Sequence, residues 1–214
     1  MIPARPNRRL VLSGLATSGL ALSGCGALGL GAGPTLDAFE LRAPQDPPTA
    51  RRTLARDVVV ELPDAGPALD IDRLLVRPNP VQAQYLPGAR WTAAAPAMVQ
   101  TLMLRTLQDA NAFRFVGRRP LGPGADFALV SEMTDFQAEL REDQPGAVVR
   151  MRLIARLVRE SDASVVASRS FTATAPVDSL ETLPVVLAFN AATDAVMRDL
   201  SVWVLTRLGA APMA

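Results

Sequence analysis

The stretch VRMRLIARL at residues 149–157 has the most regular pattern in the chain and decides the fold. Its odd-numbered positions are all apolar, and its even-numbered positions include Arg150, Arg152 and Arg156. Successive side chains of a β-strand point to opposite faces, so this alternation predicts a strand with one buried and one solvated face. Half-buried strands of this kind are typical of antiparallel sheets.

Further strand-like segments lie on both sides of this stretch. Residues 127–134 alternate in the same way, and residues 165–174 follow the predicted turn at residues 160–164. This order predicts three strands joined by hairpins. Five shorter runs, each followed closely by proline or glycine, predict additional strands nearer the N-terminus: residues 36–42, 54–62, 73–77, 81–86 and 113–116.

Two segments have helical spacing, at residues 93–112 and 184–208. In the second, one stripe contains four large apolar residues that we expect to be buried against the sheet: Phe189, Val196, Leu200 and Trp203. Because helices and strands occur in separate runs, the predicted fold class is α+β. We expect a mostly antiparallel or mixed sheet with both helices packed on one face.

The composition excludes many functions before any motif is considered. The 214 residues are 49% hydrophobic and 20% charged, which is typical of a globular protein. The chain has no histidine, no lysine and a single cysteine, so it cannot build a Ser-His-Asp triad, a histidine-ligated metal site or a complete Walker motif. The net charge of +1 gives no reason to expect nucleic acid. We therefore expect no enzymatic activity, no cofactor and no metal.

Residues 1–24 have the features of a bacterial export signal. Arg5, Arg8 and Arg9 form a basic start, and residues 10–22 are mostly apolar but shorter than the roughly 20 residues that span a bilayer. Leu22-Ser23-Gly24-Cys25 has the pattern of a lipobox, which predicts that Cys25 is the lipid attachment site and the mature N-terminus. The adjacent arginines leave both the twin-arginine and the general export route open.

Residues 25–35 contain the lipidated cysteine and a glycine-rich tether, and residues 36–209 are predicted to form a single globular domain. A flexible tether of this length spans about 17 Å on average and at most about 36 Å, so the domain stays close to its membrane. Gly26 follows the cysteine where an aspartate would favour the inner membrane. The expected location is thus the periplasmic face of the outer membrane, with the inner membrane as the alternative.

Several short segments follow the lipobox in a characteristic order: residues 39–41, 69–77, 85, 89–91, 113–116, 127–130, 165–171 and 188–190. Together with the lipobox, this set resembles the auxiliary lipoproteins of ABC-type lipid transport systems, the PqiC-like family. The resemblance covers about residues 36–208. It departs from the family pattern at residues 160–164, where the hairpin turn lacks glycine.

The resemblance implies a non-catalytic periplasmic component whose partners are an MCE-domain protein and an inner-membrane permease with its ATPase. Self-association into a homo-oligomer is left open. One alternative is an assembly or regulatory lipoprotein for lipopolysaccharide insertion or peptidoglycan synthesis. An envelope hydrolase is the other, weakened by the missing histidine and by the absence of a G-x-S-x-G elbow in the mature chain.

One surface region is the leading candidate for contact with a partner or with lipid: Arg73, Arg77, Tyr85, Arg90 and Trp91. Arginine and aromatic residues are enriched at protein interfaces, and both types suit a boundary with lipid headgroups. In the alternative interpretation, Tyr85 and Trp91 pack at the edge of the core. The arginines would then be solvated or paired with Asp70 and Asp72.

The arginines of residues 149–157 form a second candidate, which could contact an acidic partner or lipid phosphates. The alternative is an ordinary solvated strand face on which Glu132 or Asp135 pairs across from a neighbouring strand.

Overall fold

The computed structural model describes residues 35–119, 124–142 and 144–213. The export signal and Cys25 lie outside these residues. The elements, in chain order, are β1 (Asp37–Phe39), β2 (Leu54–Val60), β3 (Asp64–Ala65), β4 (Leu75–Arg77), β5 (Gln84–Tyr85), β6 (Ala89–Trp91), α1 (Ala95–Asp109), β7 (Phe113–Gly117), β8 (Phe127–Leu140), β9 (Ala147–Arg159), β10 (Ser164–Val177) and α2 (Thr182–Leu208).

Three long antiparallel strands, β8, β9 and β10, form one side of the main sheet. The alternation in β9 is confirmed, because Val149, Met151, Leu153, Ala155 and Leu157 are all fully buried. The hairpin predicted between β9 and β10 is also confirmed, with Ala163 adopting a left-handed conformation (φ 55°) in the turn.

The other edge of β8 carries only parallel neighbours, so the sheet is mixed rather than mostly antiparallel. β2, β3 and β4 each pair with β8 in parallel, and β2 also pairs in parallel with β7. Parallel neighbours require a crossover connection, which α1 supplies between the short strands and β7. The run Val58–Val59–Val60 is buried throughout, as is usual for parallel strands, and its sequence carries no sign of strand direction.

Short strands account for the remaining differences from the sequence prediction. β3 and β6 both lie outside the predicted strands. β6 pairs in parallel with β1 as a separate two-stranded sheet, in which Phe39 lies opposite Trp91. Strands of two or three residues depend on the strands they pair with. They are too short to show a periodic pattern of apolar residues in the sequence.

Helix α1, which lies within the predicted segment 93–112, has Pro96 in its first turn, where the missing proline N–H costs nothing. It ends at Asp109, and Asn111 then adopts a left-handed conformation (φ 52°). Helix α2 ends at Leu208 and is followed by Gly209, which has a φ of 87°. The N–H groups of Gly209 and Ala210 donate to the carbonyls of Thr206 and Leu205 and close the final turn.

The core lies between the sheet and the two helices. α2 packs on β8, β9 and β10, whereas α1 packs on β2 and β7, and the two helices touch each other. The predicted stripe of α2 is confirmed, since Phe189, Val196, Leu200 and Trp203 are all buried. The edge of the Phe171 ring meets Trp203 with 5.6 Å between ring centres.

Candidate functional site

The region that contains the predicted contact residues is built from β4, a tight turn, β5 and β6. β4 and β5 are antiparallel, with Leu75 opposite Tyr85. Asn79 closes the turn, because its Oδ1 accepts the N–H groups of Val81 and Gln82. These two hydrogen bonds make a tight connection between β4 and β5 in an exposed segment.

Trp91 belongs to the core and not to the surface. Its side chain is fully buried, and its ring lies 5.3 Å from that of Phe189 and 5.8 Å from that of Phe136. These two partners come from α2 and β8, so Trp91 attaches β6 to both. The core-edge interpretation of Trp91 is the correct one, because a residue stacked between two elements offers nothing to a surface partner.

Arg73 meets Tyr85, and Arg90 makes a separate contact. The Arg73 guanidinium lies 5.9 Å above the Tyr85 ring, a cation–π contact, and Tyr85 is half-buried against the core, as in the alternative interpretation. Arg90 pairs with Asp72 at 3.5 Å, the pairing that this alternative names, and both side chains are more than two-fifths exposed. Asp72 and Arg73 are chain neighbours, so the two contacts are close along the backbone, and we call these four residues the Arg73 patch (Asp72, Arg73, Tyr85 and Arg90).

Arg77 lies apart from these contacts, on the wall of a shallow cavity of about 320 Å³. Asp64 and Glu132 line the same cavity and face each other across the β3–β8 register. Arg77 forms no ion pair with any residue that the structure describes. It adds a cation to the surface next to the main sheet but does not touch Tyr85 or Arg90 in the way the sequence grouping suggested.

The three arginines of β9 have three different environments. Arg150 makes a two-pronged ion pair with Glu139 (3.0 and 3.1 Å), so neither predicted acid is its partner. Arg152 donates to the Ser170 hydroxyl at 3.2 Å, and Arg156 has no ion pair with a described residue. This solvated face of β9 is thus joined to β8 by one ion pair and to β10 by a hydrogen bond.

Other ion pairs join strands at the opposite end of the sheet. Arg114 of β7 grips Asp57 of β2 through two hydrogen bonds of 2.8 and 2.6 Å, which lower the pKa of that carboxyl below its usual range. Arg119 bridges Glu61 and Glu160, which raise the pKa of its guanidinium further. Each of these arginines is paired with at least one carboxylate, so the role of these ion pairs is to link strands.

A second cavity, of about 240 Å³, lies against α1 and was not found by sequence reasoning. Arg105 and Arg118 line it together with Glu40 and apolar residues of α1. The only sequence signal was the spacing of Thr101 and Arg105, which places them one turn apart on a helix whose other residues are mostly buried. Arg118 is distant in sequence, so its arrival at this cavity depends on the fold.

Within the described part of the chain, no group of three or more histidine, cysteine, aspartate or glutamate residues could hold a metal ion. Of the helices that the structure describes, none is long and apolar enough to cross a membrane.

The comparisons with known proteins agree with the resemblance found in the sequence. The model of the family described as ABC-type transport auxiliary lipoprotein component matches residues 39–201. The chain belongs to this family. The resemblance inferred from the ordered segments is therefore confirmed, and the family is one of transport lipoproteins.

Two solved structures share the fold of this auxiliary lipoprotein. Protein XCC0632 from Xanthomonas campestris is 29% identical with a TM-score of 0.72, over 82% of this chain and 97% of that one. An uncharacterized protein with 13% identity reaches a TM-score of 0.60 over 79% of this chain and 99% of its own, a likeness of fold alone.

A curated relative comes from Bradyrhizobium diazoefficiens. The uncharacterized protein bll6063 is 27% identical over 172 residues, which make up 77% of this chain. The chain spans 44% of the length of that protein.

Proposed function

We propose that this protein is a lipid-anchored, non-enzymatic docking component of an ABC-type system that moves lipid between membranes with an MCE-domain protein. The observation that carries the proposal is the family match over residues 39–201, because it covers nearly all of the folded domain. The lipobox that ends at Cys25 supplies the anchor. ATP is hydrolysed by another subunit, since this chain has no lysine for a Walker motif.

We place the domain at the periplasmic face of the outer membrane because Gly26 follows Cys25, where an aspartate would favour the inner membrane. One acyl chain binds a bilayer only marginally, at about 0.8 kcal/mol per buried methylene. Several acyl chains on one cysteine anchor the protein to the membrane permanently. The glycine-rich tether keeps the domain within about 36 Å of that membrane. A transporter in the inner membrane must therefore extend to it, and an MCE-domain protein is the expected bridge.

The Arg73 patch is the proposed docking surface. It combines two arginines with an aromatic ring, residue types that are enriched among interface hot spots, and the Arg90 side chain is 44% exposed. The partner should therefore offer carboxylates around an apolar contact. Arg77 is not part of this surface, because it lies in a separate cavity that Asp64 and Glu132 also line. Trp91 supports this surface from below by fixing β6 to the core.

Capture of the partner from cells tests the proposal. The full-length tagged lipoprotein is crosslinked in growing cells and purified, and co-purified proteins are identified by mass spectrometry. We expect an MCE-domain protein and a permease with the wild-type chain. Arg73→Ala combined with Arg90→Ala should reduce their recovery about thirtyfold or more, because hot-spot residues contribute about 2 kcal/mol or more each.

Arg152→Ala combined with Arg156→Ala is the matched control, since it removes the same charge from the outer face of β9. This control should capture partners as the wild type does. If the wild-type chain recovers neither an MCE-domain protein nor a permease, the assembly or regulatory role in another envelope machine replaces this proposal.

Fractionation of cells tests the anchor separately. Cys25→Ser should move the protein out of the membrane pellet, whereas Leu28→Ala, which leaves the lipobox intact, should not. A Cys25→Ser protein that stays fully in the pellet would show that another feature holds the domain at the membrane.

A further inference from the structure

The cavity against α1 is lined by two arginines whose charge no described residue neutralises. Arg105 and Arg118 both line it, and both are exposed. Neither has a carboxylate within ion-pair distance among the residues that the structure describes. The next residue, Arg119, shows the contrast, because Glu61 and Glu160 both pair with it. The cavity thus presents cationic N–H groups that lack a counter-ion within this part of the chain.

Arg118 is held in one orientation by two neutral acceptors. Its Nε donates to Oε1 of Gln100 at 2.8 Å, and its Nη2 donates to the Thr101 hydroxyl at 2.6 Å. Gln100 is only 9% exposed, and its Nε2 donates to the backbone carbonyl of Val60 at 3.0 Å. The Thr101 hydroxyl donates to the carbonyl of Ala97 at 2.9 Å. These hydrogen bonds fix the guanidinium against β2 and α1 without neutralising its charge.

A carboxylate is the group that fits these donors. A guanidinium presents parallel N–H groups that match the two oxygens of a carboxylate, and such charged hydrogen bonds are stronger than neutral ones. Among the described residues, none accepts a hydrogen bond from Nη1 of Arg118, so this end of the fork remains available. Glu40 lines the same cavity, and with its charge counted the two arginines still leave a net positive charge. Because Arg118 is already oriented, binding an anion costs little additional ordering.

The parts of the chain next to the cavity and before the domain contain no acid that could fill it. Residues 1–34 have no aspartate or glutamate, so the tether cannot supply the anion. Residues 120–123, which follow Arg119, have none either. The cavity has a volume of about 240 Å³, whereas sites for complete drug-sized ligands have about 300–1,000 Å³. It therefore suits one side chain of a larger molecule.

We propose that the cavity against α1 receives an aspartate or glutamate side chain of a protein partner, which Arg105 and Arg118 bind. Thr92 also lines the cavity and lies two positions after Arg90 of the Arg73 patch, about 7 Å away at the rise of a strand. A partner seated on the Arg73 patch therefore reaches the cavity with an adjoining part of its own surface. The identity of that partner as a transporter subunit rests on the proposed function, whereas the carboxylate site itself does not.

Binding of short peptides to the purified full-length lipoprotein tests the site. A fluorescent hexapeptide of alternating glycine and glutamate is compared with its glutamine analogue by anisotropy, at low ionic strength and constant non-ionic detergent. We expect the glutamate peptide to bind about tenfold more tightly or better, and its affinity to fall with salt. Inorganic phosphate should compete only at concentrations well above that of the peptide. No binding of the glutamate peptide, equal binding of both peptides, or competition by phosphate at equal concentration would each overturn the proposal.

Variants locate the binding within the chain. Arg118→Gln and Arg105→Gln should each weaken the glutamate peptide about tenfold or more, as expected for a lost charged hydrogen bond. Arg118→Gln also removes the donor to Gln100, and its melting temperature measures that effect separately. Arg105 is exposed and has no ion pair with a described residue, so Arg105→Gln should melt like the wild type. Arg152→Gln, an equal change of charge on the outer face of β9, is the matched control and should bind like the wild type.

An equal loss of peptide binding in Arg152→Gln, or unchanged binding in either cavity variant, would also overturn the proposal. Partner capture from cells tests the docking role separately. A chain that binds the glutamate peptide but recovers no MCE-domain protein refutes the docking role alone. A chain that recovers its partners but does not bind the glutamate peptide refutes the carboxylate site alone.

Discussion

Two regions of the fold differ in regularity but share one core. The long-strand region, β8 to β10 with α2, has antiparallel strands of 13 or 14 residues, and each of its two strand pairings has a single register shift. The short-strand region, β3 to β6, has strands of two or three residues. Trp91 of the short-strand region nevertheless packs against Phe136 and Phe189 of the other. Burial, and not strand length, attaches this region to the fold.

The largest effect should come from removing that attachment. Trp91→Ala should destabilise the protein by about 3–5 kcal/mol, the usual range for a buried tryptophan. Trp203→Ala, which removes a tryptophan from the long-strand region, should cost about as much. Denaturant unfolding of both variants measures the difference.

A loss for Trp91→Ala that is much smaller than the loss for Trp203→Ala would contradict the comparison. It would mean that the short-strand region unfolds separately and contributes little to the stability of the core.

Two glycines with positive φ provide the next test, one in each region. Gly146 (φ 97°) precedes β9, and a Cβ there would lie 2.1 Å from the carbonyl oxygen of Val177. Gly88 (φ 72°) precedes β6, and a Cβ there would meet nothing within 4 Å. Gly88→Ala should cost only the left-handed conformation, about 1–2 kcal/mol. Gly146→Ala should lower the stability further, because the backbone of Val177 and Asp178 must also move to make room for the Cβ.

Thermal unfolding of the two glycine variants gives the comparison directly. Equal losses of stability would show that the backbone around Gly146 can move away from Val177 without cost, contrary to the close contact between them.

The same comparison explains what the sequence could predict. The alternation in residues 149–157 predicts β9 because apolar residues mark the buried face of a strand and polar residues the exposed face. The stripe with Phe189 and Trp203 predicts α2 in the same way, because apolar residues mark the buried face of a helix. The parallel strands of the short-strand region depend on neighbours far away in sequence. Leu75, for example, faces Gln137 across the sheet, a pairing that no local pattern encodes.

A smaller effect is expected at the turn between β4 and β5. Asn79→Ala removes the side-chain oxygen that accepts the N–H groups of Val81 and Gln82, and should cost about 1 kcal/mol. Limited proteolysis should cut the turn faster in this variant. Gln84→Ala, an exposed change within β5, is the control and should leave the cleavage rate unchanged.

The smallest effect concerns pH. Arg150, by hydrogen bonding to Glu139, lowers the pKa of that carboxyl below its ordinary 4.5. A lowered folded-state pKa stabilises the protein above the unfolded value, and this contribution disappears as pH falls through the folded value. Both side chains are about one-third exposed, so the pair contributes less than about 1 kcal/mol.

Urea unfolding of wild type and Glu139→Gln at a series of pH values measures this contribution. The wild type should be more stable at neutral pH, and the difference should vanish in acid. A difference that stays constant below pH 4.5 would show that the ionised pair is not its cause.

The candidate site was less accessible to sequence reasoning than the fold. Arg73 and Tyr85 could be grouped because short segments bring them together, but the same grouping placed Trp91 on the surface. Tryptophan suits both a core and an interface, so its residue type does not decide between them. Arg118 was missed because its environment is created by Gln100 and Thr101, which come from another element.

The central claim is that the Arg73 patch contacts a transporter subunit in the envelope. The most direct test places a photo-crosslinking amino acid at position 92 of the full-length lipoprotein in living cells, an exposed position next to β6 that leaves all four residues of the Arg73 patch intact. Position 168 on the outer face of β10 is the control. The account predicts an adduct with an MCE-domain protein at position 92 and none at position 168. Adducts with that protein at both positions, or at neither, would contradict it.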